Sequence, residues 1–155
     1  MNSTSNELVQ ATQNLLSQNK TGFLATHSIK HPGYPYTSLV SYAVSAEGNP
    51  LFLISSLATH TKNLRSNNKA SILIASESDN PQAAGRATLI GDIAPVSDEK
   101  CDEAKLLYVQ KHPEAKQWAE FGDFAIYQMT IIDIYIVAGI GKMGWLKPEQ
   151  LKPLQ

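Results

Sequence analysis

The chain has 155 residues, 43% apolar and 17% charged, which fits one globular domain over 1–155 and excludes disordered and collagen-like classes. A formal net charge of −1 excludes a nucleic-acid binder that relies on bulk positive charge, so any anion site must be local. A single cysteine, Cys101, excludes an intrachain disulfide and a cysteine-based zinc site.

Met1 to Glu7 is polar and carries no basic-then-apolar leader, and no apolar run reaches bilayer-spanning length. These features give the expectation of a cytoplasmic protein with no membrane partner. Thr4-Ser-Asn-Glu7 reads as a capping box with Thr4 as N-cap. Behind it, Leu8, Ala11 and Leu15 keep helical spacing and predict an amphipathic helix over about 5–18. From Thr21 the period changes. Segments 21–27 and 36–44 read as strands joined through the turn formers Lys30-His-Pro-Gly-Tyr-Pro35. A turn at 46–50 leads into the apolar strand Leu51 to Ser55, and further strands are predicted at 70–75 and 86–94, with Gly91 as a bulge. Ser97-Asp-Glu opens a helical insertion over about 97–121, broken at His112-Pro113. Two strands, 124–130 and 133–138, close the chain before a short proline-broken tail. Six or seven strands with hairpin-type linkers predict a mainly β fold, an antiparallel barrel with flanking helices.

The densest chemistry follows the strand that ends at Ser55. Ser55, Ser56, Thr59, His60, Thr61, Lys62, Asn63 and Arg65 fall within one turn and the start of a helix near Thr59. Hydroxyls and backbone N–H groups supply geometry for a phosphate, Lys62 and Arg65 supply charge, and a helix start adds its positive end. A polar loop entering an ordinary capped helix uses the same residue types, so both readings stay open on this segment alone.

Gly139-Ile-Gly-Lys-Met-Gly144 has dinucleotide-signature spacing but lacks the following helix, second parallel strand and downstream acid that the signature needs. It reads as a glycine-rich turn, with Lys142 able to approach an anion and Trp145 able to cover a ring or pack inside. His27, His31, His60 and His112 show no ligand spacing and read as polar surface residues. Cys101, among Asp98, Glu99, Asp102 and Glu103, reads as inert. Trp118 and Phe121 read as packing residues of the insertion.

Three segments together, Tyr36-Thr-Ser-Leu-Val-Ser-Tyr42, Ile54-Ser-Ser-Leu-Ala-Thr-His-Thr-Lys-Asn-Leu64 and Arg86-Ala-Thr-Leu-Ile-Gly91, resemble the pyridoxamine 5′-phosphate oxidase-like FMN-binding split barrels. The His-Thr-Lys-Asn-Leu run and Ala138-Gly-Ile-Gly141 are most similar to the haem-utilisation (HugZ-like) branch. The resemblance implies a six- to seven-stranded split barrel and a homodimer holding FMN at the subunit interface. It also implies oxidoreductase chemistry on an unidentified small molecule. Carried onto this chain, it points to Thr37, Ser38, Leu39 and Val40 along the flavin and ribityl groups. Ser55, Ser56, Thr61 and Lys62 then hold the phosphate, with His60 and Asn63 beside them, Arg86 reaches the flavin, and Lys142 and Trp145 close the site from the partner subunit. The chain departs from the vitamin-processing oxidase by having no arginine at Tyr36 or Thr37 and no Arg-His pair in Gly141-Lys-Met-Gly-Trp145. The alternative that the same resemblance implies is a non-catalytic haem- or flavin-binding protein.

Overall fold

The computed structural model describes residues 3–152. Helix α1 (Ser3–Gln18) leads into strands β1 (Thr21–His27), β2 (Pro35–Ser41), β3 (Ala43–Val44) and β4 (Pro50–Ser55). Helix α2 (Thr59–Ser66), strands β5 (Lys69–Ala75) and β6 (Arg86–Pro95) and helix α3 (Asp98–Lys111) follow. Strands β7 (Phe124–Gly139) and β8 (Lys142–Leu146) complete the sheet, with 3₁₀ turns at Pro113–Gln117 and Pro148–Leu151.

All the pairings are antiparallel, in the order β2-β1-β5-β6-β7-β4-β3, with β8 on β7. The two ends of that order, β2 and β3, are consecutive in the chain and separated only by Tyr42. The sheet therefore curls back on itself into a split barrel, as the hairpin-type linkers imply.

The curl is driven by alternation. Leu24, Ile72, Leu89, Ile134 and Leu146 point inward from five strands, and Leu8, Leu15 and Leu16 of α1 close the barrel over them. Burying each such side chain contributes about 1.5–3 kcal/mol before entropy is counted. β4 is apolar on both faces because both are covered: Phe52 and Ile54 enter the barrel, while Leu51 and Leu53 pack in a second core with Ala104 and Tyr108 of α3. Tyr108 is buried deeply enough that its phenol is pushed up to about 12.

Several boundaries differ from the sequence expectation. Helix α1 begins at Ser3, so Thr4 lies in its first turn and not at the cap. The expected strand 36–44 breaks at Tyr42, whose ring turns into the core and whose hydroxyl donates to Leu16 O at 2.6 Å. Strand partners change there, from β1 to β4. The expected pair 124–130 and 133–138 is one strand, β7, because opposite Gly91 the register skips Ile132. That is the bulge expected at Gly91: a Cβ there would sit 2.3 Å from Thr130 O. β8, read as turn and tail, is a strand, which brings the sheet to eight.

His112 is not a surface residue: it is buried, with Nε2 at 2.7 Å from Tyr42 O and its ring tilted against Tyr108. Trp118 packs on the second core, but Phe121 is largely exposed.

Candidate cofactor site

β4 delivers Ser55 to the rim of the barrel, where the chain turns and enters α2 at Thr59. No side chain caps α2, since the N-cap position is Ala58. Its first-turn N–H groups therefore have no side-chain cap, and a helix start of this kind attracts an anion. Lys62, on the exposed side of the same turn, forms no ion pair with any described residue.

The turn before α2 is already occupied by a carboxylate. Ser55 Oγ donates to Asp123 Oδ2 at 2.7 Å and accepts from Leu57 N at 3.1 Å, while Ser56 N donates to Asp123 O at 2.7 Å. Asp123 stands 68 residues from Ser55 in sequence, and no local pattern announces it.

Inside the rim, Ser38 Oγ and His60 Nδ1 lie 3.2 Å apart, which joins the inner side of β2 to α2. His60 Nε2 and Thr61 Oγ1 are both buried without a protein partner. Burial lowers the pKa of His60, so its imidazole is neutral at pH 7 and Nε2 is left as an unpartnered donor or acceptor according to which role Nδ1 takes with Ser38 Oγ. Two orphaned buried polar atoms beside an uncapped helix start form a donor–acceptor set that fits an anionic group or ordered water.

The remaining expected residues divide into three groups. Thr37 and Leu39 are exposed on the outer face of β2. Val40 points into the barrel core, and Asn63, 1% exposed, uses its amide to donate to Thr26 Oγ1 and to accept from Ile29 N, both at 3.1 Å. Arg65 Nε donates to Tyr127 OH at 3.4 Å. Arg86 folds over the 81–82 loop, donating to Gln82 O at 3.0 Å, and Lys142 meets Glu7 at 3.9 Å. Trp145 leans on Tyr135 at 5.1 Å and is 60% exposed.

The sheet register reveals a pattern that the sequence reading missed. Leu39, Phe23, Leu73, Thr88, Tyr135 and Trp145 are cross-strand neighbours in one row on the outer face. Leu39, Phe23, Leu73 and Trp145 in that row are exposed. Five strand spacings separate Leu39 from Trp145, about 24 Å along the sheet. Trp145 thus lies at the opposite end of this row from Leu39. β2 pairs only with β1, so its outer hydrogen-bonding edge is unpaired among the described residues.

The sequence profile of the family described as CREG, beta-barrel matches residues 3–152. The chain belongs to the CREG β-barrel family. The heme oxygenase HOZ of Arabidopsis thaliana, a chloroplastic protein, is 37% identical over 132 residues, which is 85% of this chain. This chain spans 40% of that relative's length. A heme binding protein from Mycobacterium smegmatis superposes with a TM-score of 0.86 at 25% identity, over 94% of this chain and 60% of that one. A pyridoxinephosphate oxidase-family protein from Clostridium acetobutylicum, related to general stress protein 26, superposes with a TM-score of 0.70 at 14% identity over 94% of this chain and 97% of its own. That likeness carries the fold alone, a split barrel. No described helix is long and apolar enough to cross a membrane. No cluster of three or more metal-ligating side chains occurs among the described residues.

Proposed function

We propose that this CREG-family barrel is one half of a homodimer that binds a flat anionic cofactor, haem in the first instance, between the β2 rim and its twin. The observation that carries this reading is the rim itself. An unpaired strand edge bears exposed Leu39 on one face and the Ser38–His60 pair on the other, and α2 opens uncapped beside it. Bare edges and contiguous apolar rows call for a partner surface.

The residues have distinct tasks in this arrangement. Leu39 and Phe23 offer an apolar platform to a ring system, Lys62 and the α2 N–H groups receive its carboxylates, and neutral His60 offers one ring nitrogen to the bound group. The cofactor would supply the redox chemistry, and the protein would supply orientation, charge and exclusion of water. Haem is placed first because two relatives at 25% identity or more are a heme oxygenase and a heme binding protein.

FMN-dependent oxidoreduction of a small molecule is the second reading, favoured by Lys62 and the uncapped helix start and opposed by the Asp123 carboxylate on Ser55. Mass spectrometry of the molecule released from freshly purified protein, with its visible spectrum, separates the readings. A Soret band with porphyrin released supports haem, and flavin bands with FMN released move the assignment to FMN. Neither appearing, even after incubation with both, refutes the proposal. For FMN, Lys62→Ala should weaken FMN retention far more than riboflavin retention, and turnover with NAD(P)H and an acceptor would mark an enzyme and not a carrier. Light scattering after size exclusion tests the dimer.

A further inference from the structure

A cavity of about 530 Å³ lies between α1, the β3 corner and α3, and shares no lining residue with the cofactor site. Its walls include Leu16, Val44, Leu107 and Leu151, with Gln110 and Lys111 supplied by the last turn of α3. The size falls within the range of small-molecule sites, and the lining has their usual character, apolar walls with a few fixed polar groups.

Lys111 sets the chemistry. Its ammonium is half-buried, donates to Leu16 O at 3.1 Å and lies 4.5 Å from the centre of the Tyr42 ring. The same Leu16 carbonyl already accepts from the Tyr42 hydroxyl. No described carboxylate pairs with Lys111, and the charge that acts on it is another cation, Lys20. Burial and Lys20 together pull its pKa below the ordinary lysine value. The negative end of α3 and one shared carbonyl offset part of the desolvation, and neither neutralises a full charge. An ammonium held at the wall of an apolar cavity without a counter-charge defines half of an ion pair.

We propose that this cavity binds an organic monocarboxylate, its carboxylate on Lys111 Nζ and its apolar body along Leu16, Val44, Leu107 and Leu151. A buried charge-assisted pair gains enough over a neutral contact to separate an acid from its alcohol by about tenfold or more. A cavity of about 530 Å³ has room for a medium chain or a single aromatic unit.

The test uses sodium octanoate and octan-1-ol as probes against the whole chain, read by ligand-observed NMR and titration calorimetry, and is independent of cofactor content. Wild type should bind octanoate about tenfold or more tightly than octanol. Lys111→Met should remove that preference while leaving octanol binding unchanged, and Lys111→Arg should retain it. Leu107→Trp, which narrows the cavity and leaves the ammonium in place, should weaken both. Circular dichroism melts confirm that each variant is folded. Absence of octanoate binding at millimolar concentration overturns the proposal, as does equal octanoate affinity in wild type and Lys111→Met.

Discussion

Asn63 sits in the polar turn that reads as a cofactor site, yet its amide is spent holding a loop. Alanine at this position removes the bond to Thr26 Oγ1 and the acceptor for Ile29 N at once. A net hydrogen bond contributes about 1 kcal/mol, and a part-buried N–H left without an acceptor costs about 1–3 kcal/mol. The sum is a loss of about 2–4 kcal/mol in the cofactor-free protein. For a domain of this size that lowers the melting temperature by roughly 4–16 °C. Urea unfolding of the apo protein measures the energy, and hydrogen exchange at the Ile29 amide reports the local bond. A cofactor-contact role makes a different prediction: apo stability unchanged and only ligand affinity reduced. An apo loss under about 1 kcal/mol, with Ile29 exchange unaltered, would refute the latch.

Gly91→Ala should destabilise by about 3 kcal/mol or more, because the new Cβ meets Thr130 O at 2.3 Å and Met129 Cγ at 2.8 Å and backbone cannot step aside; denaturant midpoints measure it. Asp123→Asn should strengthen FMN binding relative to riboflavin by about tenfold, by taking a negative charge from the Ser55 turn. Equal change for both ligands in a fluorescence titration would show that phosphate docks elsewhere. His60 has a folded pKa below its ordinary 6.5, so the unfolded chain binds more protons near that pH. Its contribution is full above 6.5 and is lost as the pH falls from there through the lowered folded value. Apo His60→Gln should accordingly show a flatter stability profile in mildly acidic urea titrations.

Helix α1, strands β1, β4, β5 and β6, and the Gly91 bulge were legible because their signals are local: apolar period, turn formers and a glycine in a strand. The corner at Tyr42 was not, since the alternation runs on through it and only the buried contact with Leu16 O marks the change of partner. β7 looked like two strands because inward residues shift parity around Ile132, and a bulge is visible only once β6 lies opposite. β8 follows the Gly139–Gly141 turn and carries Gly144, and its strand character comes from its pairing with β7. At the site, Ser38 and His60 belonged to segments that the sequence singled out, but Asp123 and the outer row of Phe23, Leu73 and Tyr135 exist only through long-range register.

The sixteen-residue strand β7 also bears on how the chain is made. β4 has only the two-residue β3 as its other neighbour, and β6 has only β5. A nascent chain that stops short of Phe124 therefore holds two separate, half-satisfied ribbons with no means of joining them. Closure must wait until β7 has been made, which places this barrel among folders dominated by non-local pairing and leaves the edges of its early strands exposed in the interval.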